Sequence, residues 1–321
     1  MTDQRSDYIS NGYCIYKKLV PENLIDAFLA EYQSQIVPSP NFFYRQSTQY
    51  ERNILLRTGY VKNSFMNLHS YDYPAQEAHP HHRFSYLARQ IFCFKPVHEA
   101  LAEVTESKSH RIVQSMLFDM NMETEPHQDT FYLDSFPAGH LLGAWFALQD
   151  IHEDAGRFYV VSGSHRARFQ LTEDEIAVNK LYLRKISRYL EDNRDKLHAP
   201  ALEKGDVLFW NSMTVHGSLK TVDRKRSRKS LTAHYLPAPY EFRKMDAKAP
   251  SQLSYLSHNG VDYRTFEARQ TVLPESLWHR AVGELQKRVV SFDAEPALYY
   301  TAKPLRRLLR SLRLVGSRDS T

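Results

Sequence analysis

Glycine is scarce in this chain, at 11 of 321 residues. Neither GxGxxG nor GxxxxGKS/T occurs, so no stretch is built to cradle a phosphate on a glycine-rich turn. Cys14 and Cys93 are the two cysteines present. Two thiols cannot make a disulfide framework. They fit a reducing compartment, where a free cysteine behaves as a small buried hydrophobe. No apolar run reaches the roughly 18 residues of a spanning helix, and the opening MTDQRSDYISNGY holds no apolar signal core. The cytoplasm is the expected location. Charge of one sign is also lacking: 42 basic against 37 acidic residues give +5. That is a mild bias and not the basic field of a nucleic-acid binder, so no nucleic-acid partner is expected.

What remains is ordinary globular composition, 42% hydrophobic and rich in Tyr and Phe, with no repeat or low-complexity linker. Residues 12–19 read as a strand. Pro21 then opens a helix whose face carries Leu24, Ile25, Phe28, Leu29 and Tyr32. Residues 36–82 read as loops with short strands, and 84–94 and 97–104 as helices. From Arg111 the pattern shortens to strands at 112–118, 131–133, 141–148, 157–161, 207–210 and 230–236, punctuated by Gly, Pro, Asp and Asn. Short strands at modest spacing fit a sandwich or jelly roll better than alternating βα units. One helix interrupts them: Thr172 with Glu175 forms a capping box, and Leu181, Tyr182, Ile186, Tyr189 and Leu190 share one face. The expected class is mainly β with flanking helices (α+β), one domain over 1–321 with its core at about 111–240 and a helical extension over 241–321 that includes a helix from Leu273 to Val289.

The chemistry concentrates in two segments. Glu125-Pro-His-Gln-Asp-Thr-Phe-Tyr132 places His127 and Asp129 two residues apart. On a strand those side chains share a face, where an imidazole and a carboxylate can grip one cation. His216 ends a second apolar run and offers a third ligand. Two imidazoles and one carboxylate with open positions suit non-heme Fe(II). His152 and Asp154 repeat the spacing inside a carboxylate-rich loop that reads as solvated. His79, His81 and His82 form a cluster broken by Pro80, which reads as a surface loop, with a second metal site as the alternative.

The ordered segments resemble the phytanoyl-CoA dioxygenase family of Fe(II)- and 2-oxoglutarate-dependent oxygenases. They are Val113-Gln-Ser-Met-Leu117, Pro126-His-Gln-Asp-Thr-Phe-Tyr132, Ala144-Trp-Phe-Ala-Leu148, Ala155-Gly-Arg-Phe-Tyr-Val-Val-Ser-Gly-Ser-His165, Gly205-Asp-Val-Leu-Phe209, Val215-His-Gly-Ser218 and Arg228-Lys-Ser-Leu-Thr-Ala-His-Tyr235. The resemblance implies a double-stranded β-helix, a jelly roll with the metal between two sheets. It implies His127, Asp129 and His216 as iron ligands and Arg228 as the clamp for the far carboxylate of 2-oxoglutarate. A planar guanidinium fork suits that task and Lys does not. Ser218 and Trp145 match positions that help hold this cosubstrate, with Gln128 and Met116 as weaker contacts. The loop 220–229 is one residue longer than the family spacing, which leaves Arg226 as the fallback clamp. With Asp129 present, the resemblance implies hydroxylation of an unactivated C–H bond of a small molecule, consuming O₂ and releasing succinate and CO₂. The alternatives are a non-catalytic metal-binding jelly roll with a basic surface for an anionic ligand, or a cupin-like zinc hydrolase or isomerase.

Phe131, Phe146 and Phe209 would exclude water from the site or simply fill the core. The tail 304–315 reads as an amphipathic helix, with Leu305, Leu308, Leu309 and Leu312 opposite four Arg. It would rest on an anionic membrane surface or dock on its own domain or a partner subunit. The oligomeric state is left open.

Overall fold

The structure is a computed structural model that describes residues 3–41, 43–45, 49–71, 81–169, 179–244 and 250–266. By its contacts residues 1–269 form one compact unit. The tail helix 304–315, the capping box at Thr172 and a helix expected at 273–289 lie outside the described residues.

The chain opens with α1 (Gln4–Asn11), a helix the sequence reading does not anticipate because it buries no apolar face. Its ends make it: the Asp3 side chain accepts from the Arg5 N–H, and Gly12, at φ 83°, donates its N–H to the Tyr8 carbonyl. Strand β1 (Tyr13–Tyr16) and helix α2 (Glu22–Glu31) follow where expected. Three short strands come next, β2 (Phe43–Arg45), β3 (Gln49–Glu51) and β4 (Phe65–Met66). Helices α3 (His82–Phe92) and α4 (Lys95–Thr105) agree with the 3.6-residue period.

The remaining strands are β5 (His110–Phe118), β6 (Leu133–Phe136), β7 (Leu142–Ala147), β8 (Phe158–Val161), β9 (Leu197–His198), β10 (Val207–Asn211), β11 (His216–Ser218), β12 (Ser230–Pro237), β13 (Glu241–Lys244), β14 (Tyr255–His258) and β15 (Val261–Arg264). Helix α5 (Asn179–Asp192) lies between β8 and β9. The main sheet runs β1-β10-β7-β12-β5-β4-β2-β3, with β15 adding to β5 in parallel. A smaller sheet, β11-β8-β9, and a β13-β6 pair complete the jelly roll. The described part of the predicted helical extension is therefore β: 241–244, 255–258 and 261–264 are strands. Their length and alternation suit a ladder, and β13 finds its partner in β6.

Alternation along the main sheet sorts its residues between two faces. Phe146, Phe209, Leu231 and Ala233 join the core formed with Phe28, Phe84, Ile91 and Leu101 of the helices. Each such buried ring contributes roughly 1.5–3 kcal/mol. Phe146 and Phe209 thus pack the helical side and shield no site. On the opposite face, register aligns Leu208, Trp145, Thr232 and Met116 in one row and Trp210, Gly143 and His234 in the next.

His110, at the start of β5, is 3% exposed. Burial, with His98 nearby adding to it, holds its pKa down at about 3. The unfolded chain therefore takes up a proton below pH 6.5 that the folded chain refuses. Stability should fall as pH drops through the window from 6.5 to about 3, by up to about 1.4 kcal/mol per pH unit for this group. Urea unfolding at pH 7 and pH 5 measures it. His110→Gln, which keeps a polar partner for Thr105 Oγ1, should lose less stability between the two pH values than wild type; an equal loss would refute the assignment.

Candidate active site

The chain leaves β5, runs through Glu125 and comes alongside β11, where the Ser218 N–H donates to the Thr124 carbonyl at 3.1 Å. His127 N–H donates to the His216 carbonyl at 3.0 Å, and His216 N–H returns the bond at 2.9 Å. This bridge sets the two imidazoles side by side, ring centroids 4.3 Å apart. The sequence reading puts His127 and Asp129 on one strand. Instead Gln128 is extended and Asp129 begins a 3₁₀ turn, Asp129–Phe131, with the strand delayed to Leu133. The turn forms because Thr130 N–H donates to the Ser212 carbonyl and the Thr130 hydroxyl to Asp134. Asp134 is itself buried and also accepts from Ser212 Oγ, Ser135 N–H and Gly139 N–H.

The turn brings Asp129 back between the imidazoles. Asp129 Oδ1 lies 3.7 Å from His127 Nε2 and 3.6 Å from His216 Nε2. These separations are too long for hydrogen bonds. They suit three ligands around one ion, and the candidate ligand atoms of the triad all lie within 4.8 Å of one another. The other ring nitrogens are already occupied. His127 Nδ1 meets the Glu125 carbonyl at 2.8 Å and His216 Nδ1 the Thr214 carbonyl at 2.9 Å. A carbonyl can only accept, so each Nδ1 carries the proton and each Nε2 presents a lone pair. Burial pulls the His216 pKa down to about 4, against the opposing pull of Asp129. It is neutral at pH 7, as a ligand must be. Burial alone would raise the Asp129 pKa; the facing imidazoles, His216 first, then His234 and His127, outweigh it and hold the group ionised.

Two residues that the sequence reading assigns no role fix the second carboxylate oxygen. Trp210 Nε1–H donates to Asp129 Oδ2 at 2.8 Å, and His234 Nε2 lies 3.3 Å from the same atom. Asp129 is thereby turned so that Oδ1 alone faces the histidines. Gly143 makes room for the indole: a Cβ there would stand 2.1 Å from Trp210 Cε2. Alternation in β10 and β12 is the signal that could have found both residues, since Trp210 and His234 share a sheet face with Trp145.

Arg228 stands just before β12, its N–H extending the ladder to the Asp119 carbonyl. It is 2% exposed and has no acidic partner among the described residues. Its Nη1 donates to the Gly156 carbonyl at 3.1 Å and Ser218 Oγ at 3.0 Å, while its Nε has no partner. Burial lowers its pKa to about 9. A buried cation left in this state calls for an anion. Trp145 lies beside it, with the guanidinium carbon 5.9 Å from the indole ring. The fallback clamp Arg226 is exposed in the preceding turn, where it faces Asp223 at 3.5 Å.

Met116 lines the same sheet face as Trp145, two strands away, and Gln128 turns its amide to the Met213 carbonyl. Phe131 stacks on Tyr182. His152 sits in a surface turn, accepting from the Asp154 N–H. His81 meets Ser39 and Asn41 and His82 is exposed, so neither joins a metal cluster among the described residues.

The phytanoyl-CoA dioxygenase (PhyH) profile matches residues 8–229. The chain belongs to the phytanoyl-CoA dioxygenase family. Peroxisomal phytanoyl-CoA dioxygenase from Homo sapiens is 23% identical over 290 residues, covering 86% of this chain and 80% of the relative. The Mus musculus protein is 25% identical, covering 73% and 67%. Among solved structures, the epimerase SnoN with Fe³⁺, α-ketoglutarate and nogalamycin RO superposes with a TM-score of 0.53 at 17% identity, covering 81% of this chain and 96% of that one. EctD from S. alaskensis with 2-oxoglutarate and 5-hydroxyectoine gives 0.53 at 15% identity, covering 78% and 82%. At such identities the structures establish the jelly-roll fold that the PhyH chain shares with them. As a member of this family the protein is a 2-oxoglutarate-dependent dioxygenase, and its His-Asp-His donor set fits iron. No helix among the described residues is long and apolar enough to cross a membrane.

Proposed function

We propose that this enzyme hydroxylates an unactivated C–H bond of a small molecule, releasing succinate and CO₂. The observation that carries the reading is the pairing of the His127–Asp129–His216 cluster with a buried, acid-free Arg228 on the same interior. A structural metal site has no use for a spare guanidinium. A 2-oxoglutarate oxygenase does.

In this proposal His127 Nε2, Asp129 Oδ1 and His216 Nε2 hold the metal. Arg228 and Ser218 bind the far carboxylate of 2-oxoglutarate, and Trp145 walls the cosubstrate. Iron and 2-oxoglutarate, when bound, supply an oxidant from O₂ through decarboxylation of the keto acid. The protein holds its own groups still meanwhile. The Glu125 and Thr214 carbonyls fix the two imidazole tautomers. The hydrogen bond from Trp210 keeps Asp129 from rotating, with His234 packed beside the same oxygen. Leu208, Phe158, Val160 and Ala147 form an apolar cluster with Trp145 and Trp210 that excludes water. Retention of the carboxylate at position 129 favours hydroxylation over halide transfer, because it fills the place a halide would need. A peripheral membrane contact through the basic tail, and a cytoplasmic location, remain parts of the proposal.

The test is anaerobic addition of Fe(II) and 2-oxoglutarate to the metal-free protein. A weak visible metal-to-ligand charge-transfer band is the expected result, followed on O₂ addition by succinate release across a library of small molecules. A protein that binds the metal but shows no band with 2-oxoglutarate would overturn the reading.

A further inference from the structure

Helix α5 interrupts the strands of the jelly roll between β8 and β9, and the chemistry so far gives it no task. Among its described side chains Tyr182 and Ile186 are the buried ones, one turn apart. They join Phe131, Tyr159, Val161 and Val215 in a compact cluster. Phe131 is two residues from Asp129 and Val215 precedes His216, so the helix presses on both segments that carry candidate ligands.

Gln128 separates His127 from Asp129. His127 spends its N–H and C=O on His216, and the Thr130 N–H goes to Ser212. In an extended chain the amide of Gln128 points away from that bridge. Buried there, it needs a partner from another element. The Tyr182 hydroxyl supplies it, accepting from the Gln128 N–H at 2.9 Å and donating to the Gln128 carbonyl at 3.3 Å. The Tyr182 ring is locked in turn by a parallel stack on Phe131, with centroids 3.7 Å apart and planes within 4°.

We propose that Tyr182 is a positioning residue for the metal centre: its hydroxyl clamps the peptide of Gln128 and so fixes the spacing of His127 and Asp129. The inference rests on the reading of His127, Asp129 and His216 as metal ligands. The hydroxyl is separable from the packing. Tyr182→Phe keeps the stack and removes only the two hydrogen bonds.

The experiment titrates the full-length metal-free protein with Co(II), read by its d–d absorbance. Tyr182→Phe should bind Co(II) about tenfold more weakly than wild type, at the lower end of what losing an outer-shell partner costs a metal site. Ile186→Val, which trims the same cluster by one methylene, should lower the melting temperature and leave Co(II) affinity unchanged. Equal affinity in Tyr182→Phe and wild type overturns the clamp, as does an equal loss in Ile186→Val, which would mean that general stability sets the affinity. Hydrogen exchange on wild type gives an arm independent of any variant's folding. The Gln128 amide should exchange as slowly as the β12 amides, and exchange at the rate of an open loop overturns the proposal. Failure of wild type to bind Co(II) at all would strike the ligand assignment itself, a result distinct from the failure of the clamp.

Discussion

Asp129→Asn should weaken metal binding at least about 100-fold, beyond the 10–100-fold cost of losing an outer-shell partner, and should cut succinate release to background. The amide is nearly isosteric, and its oxygen can still accept from Trp210 Nε1, which now bonds Oδ2 at 2.8 Å. That orientation sends the NH₂ group to the place of Oδ1, facing the Nε2 atoms of His127 and His216 that lie 3.7 and 3.6 Å away. A donor then sits where a ligand is needed. The two imidazole lone pairs accept from it, and the ion loses both its charge partner and its central ligand. Fold should be retained, because the buried Trp210 keeps its acceptor. Isothermal titration with Co(II), alongside circular dichroism, checks both halves. An Asn variant that binds metal within a fewfold of wild type would remove Asp129 from the site.

The second large effect concerns Arg228 and has opposite signs for stability and function. In the metal-free, cosubstrate-free protein this side chain is a fully buried cation with two neutral acceptors and no carboxylate. Arg228→Met should therefore raise the melting temperature, by about 2–4 °C for each kcal/mol of relieved desolvation. Loss of the donor to the Gly156 carbonyl offsets part of this, at about 1–3 kcal/mol. The same variant should fail to bind 2-oxoglutarate. Arg228→Lys should keep weak binding with the KM for 2-oxoglutarate raised 10- to 100-fold, since a charge-assisted bond of about 1.5–3 kcal/mol is lost when the fork becomes a single point charge. Thermal shift with and without Fe(II) and 2-oxoglutarate measures both effects. Wild type should gain stability on adding the pair, by about 2.7 kcal/mol at a hundredfold excess over Kd, and Arg228→Met should not. A Met variant that melts earlier and still responds to 2-oxoglutarate would show that Arg228 is a structural cation.

Much of the site is written in the chain because the residue types are chemically rare in these combinations. An imidazole two positions from a carboxylate, followed downstream by His-Gly-Ser and an Arg before a β-run, leaves few uses for the set. Arg228 could not be separated from Arg226 by spacing alone. What separates them is that Arg228 enters the β12 ladder through Asp119, while Arg226 is held in the turn by Asp223. Phe146 and Phe209 could not be placed either, because an aromatic in a strand buried on both faces carries no mark of which side it serves. Trp210 and His234 become assignable only once the register of β10 and β12 against β7 puts them on the face of Trp145. Tyr182 was legible as a buried position on a helix face, and its hydroxyl's partner was not.

The sequence alone determined the candidate ligand residues, the β-rich order of the elements and the family to which they belong. Local chemistry and the two periodicities of strand and helix carry that information. Only the tertiary structure decided how the donors meet. The bridge between His127 and His216, the turn that returns Asp129, and the pairing of Asp129 with Trp210 join residues up to 89 positions apart, as in the bond between His127 and His216. Contacts across such separations depend on register and sheet face, which no short window of sequence specifies.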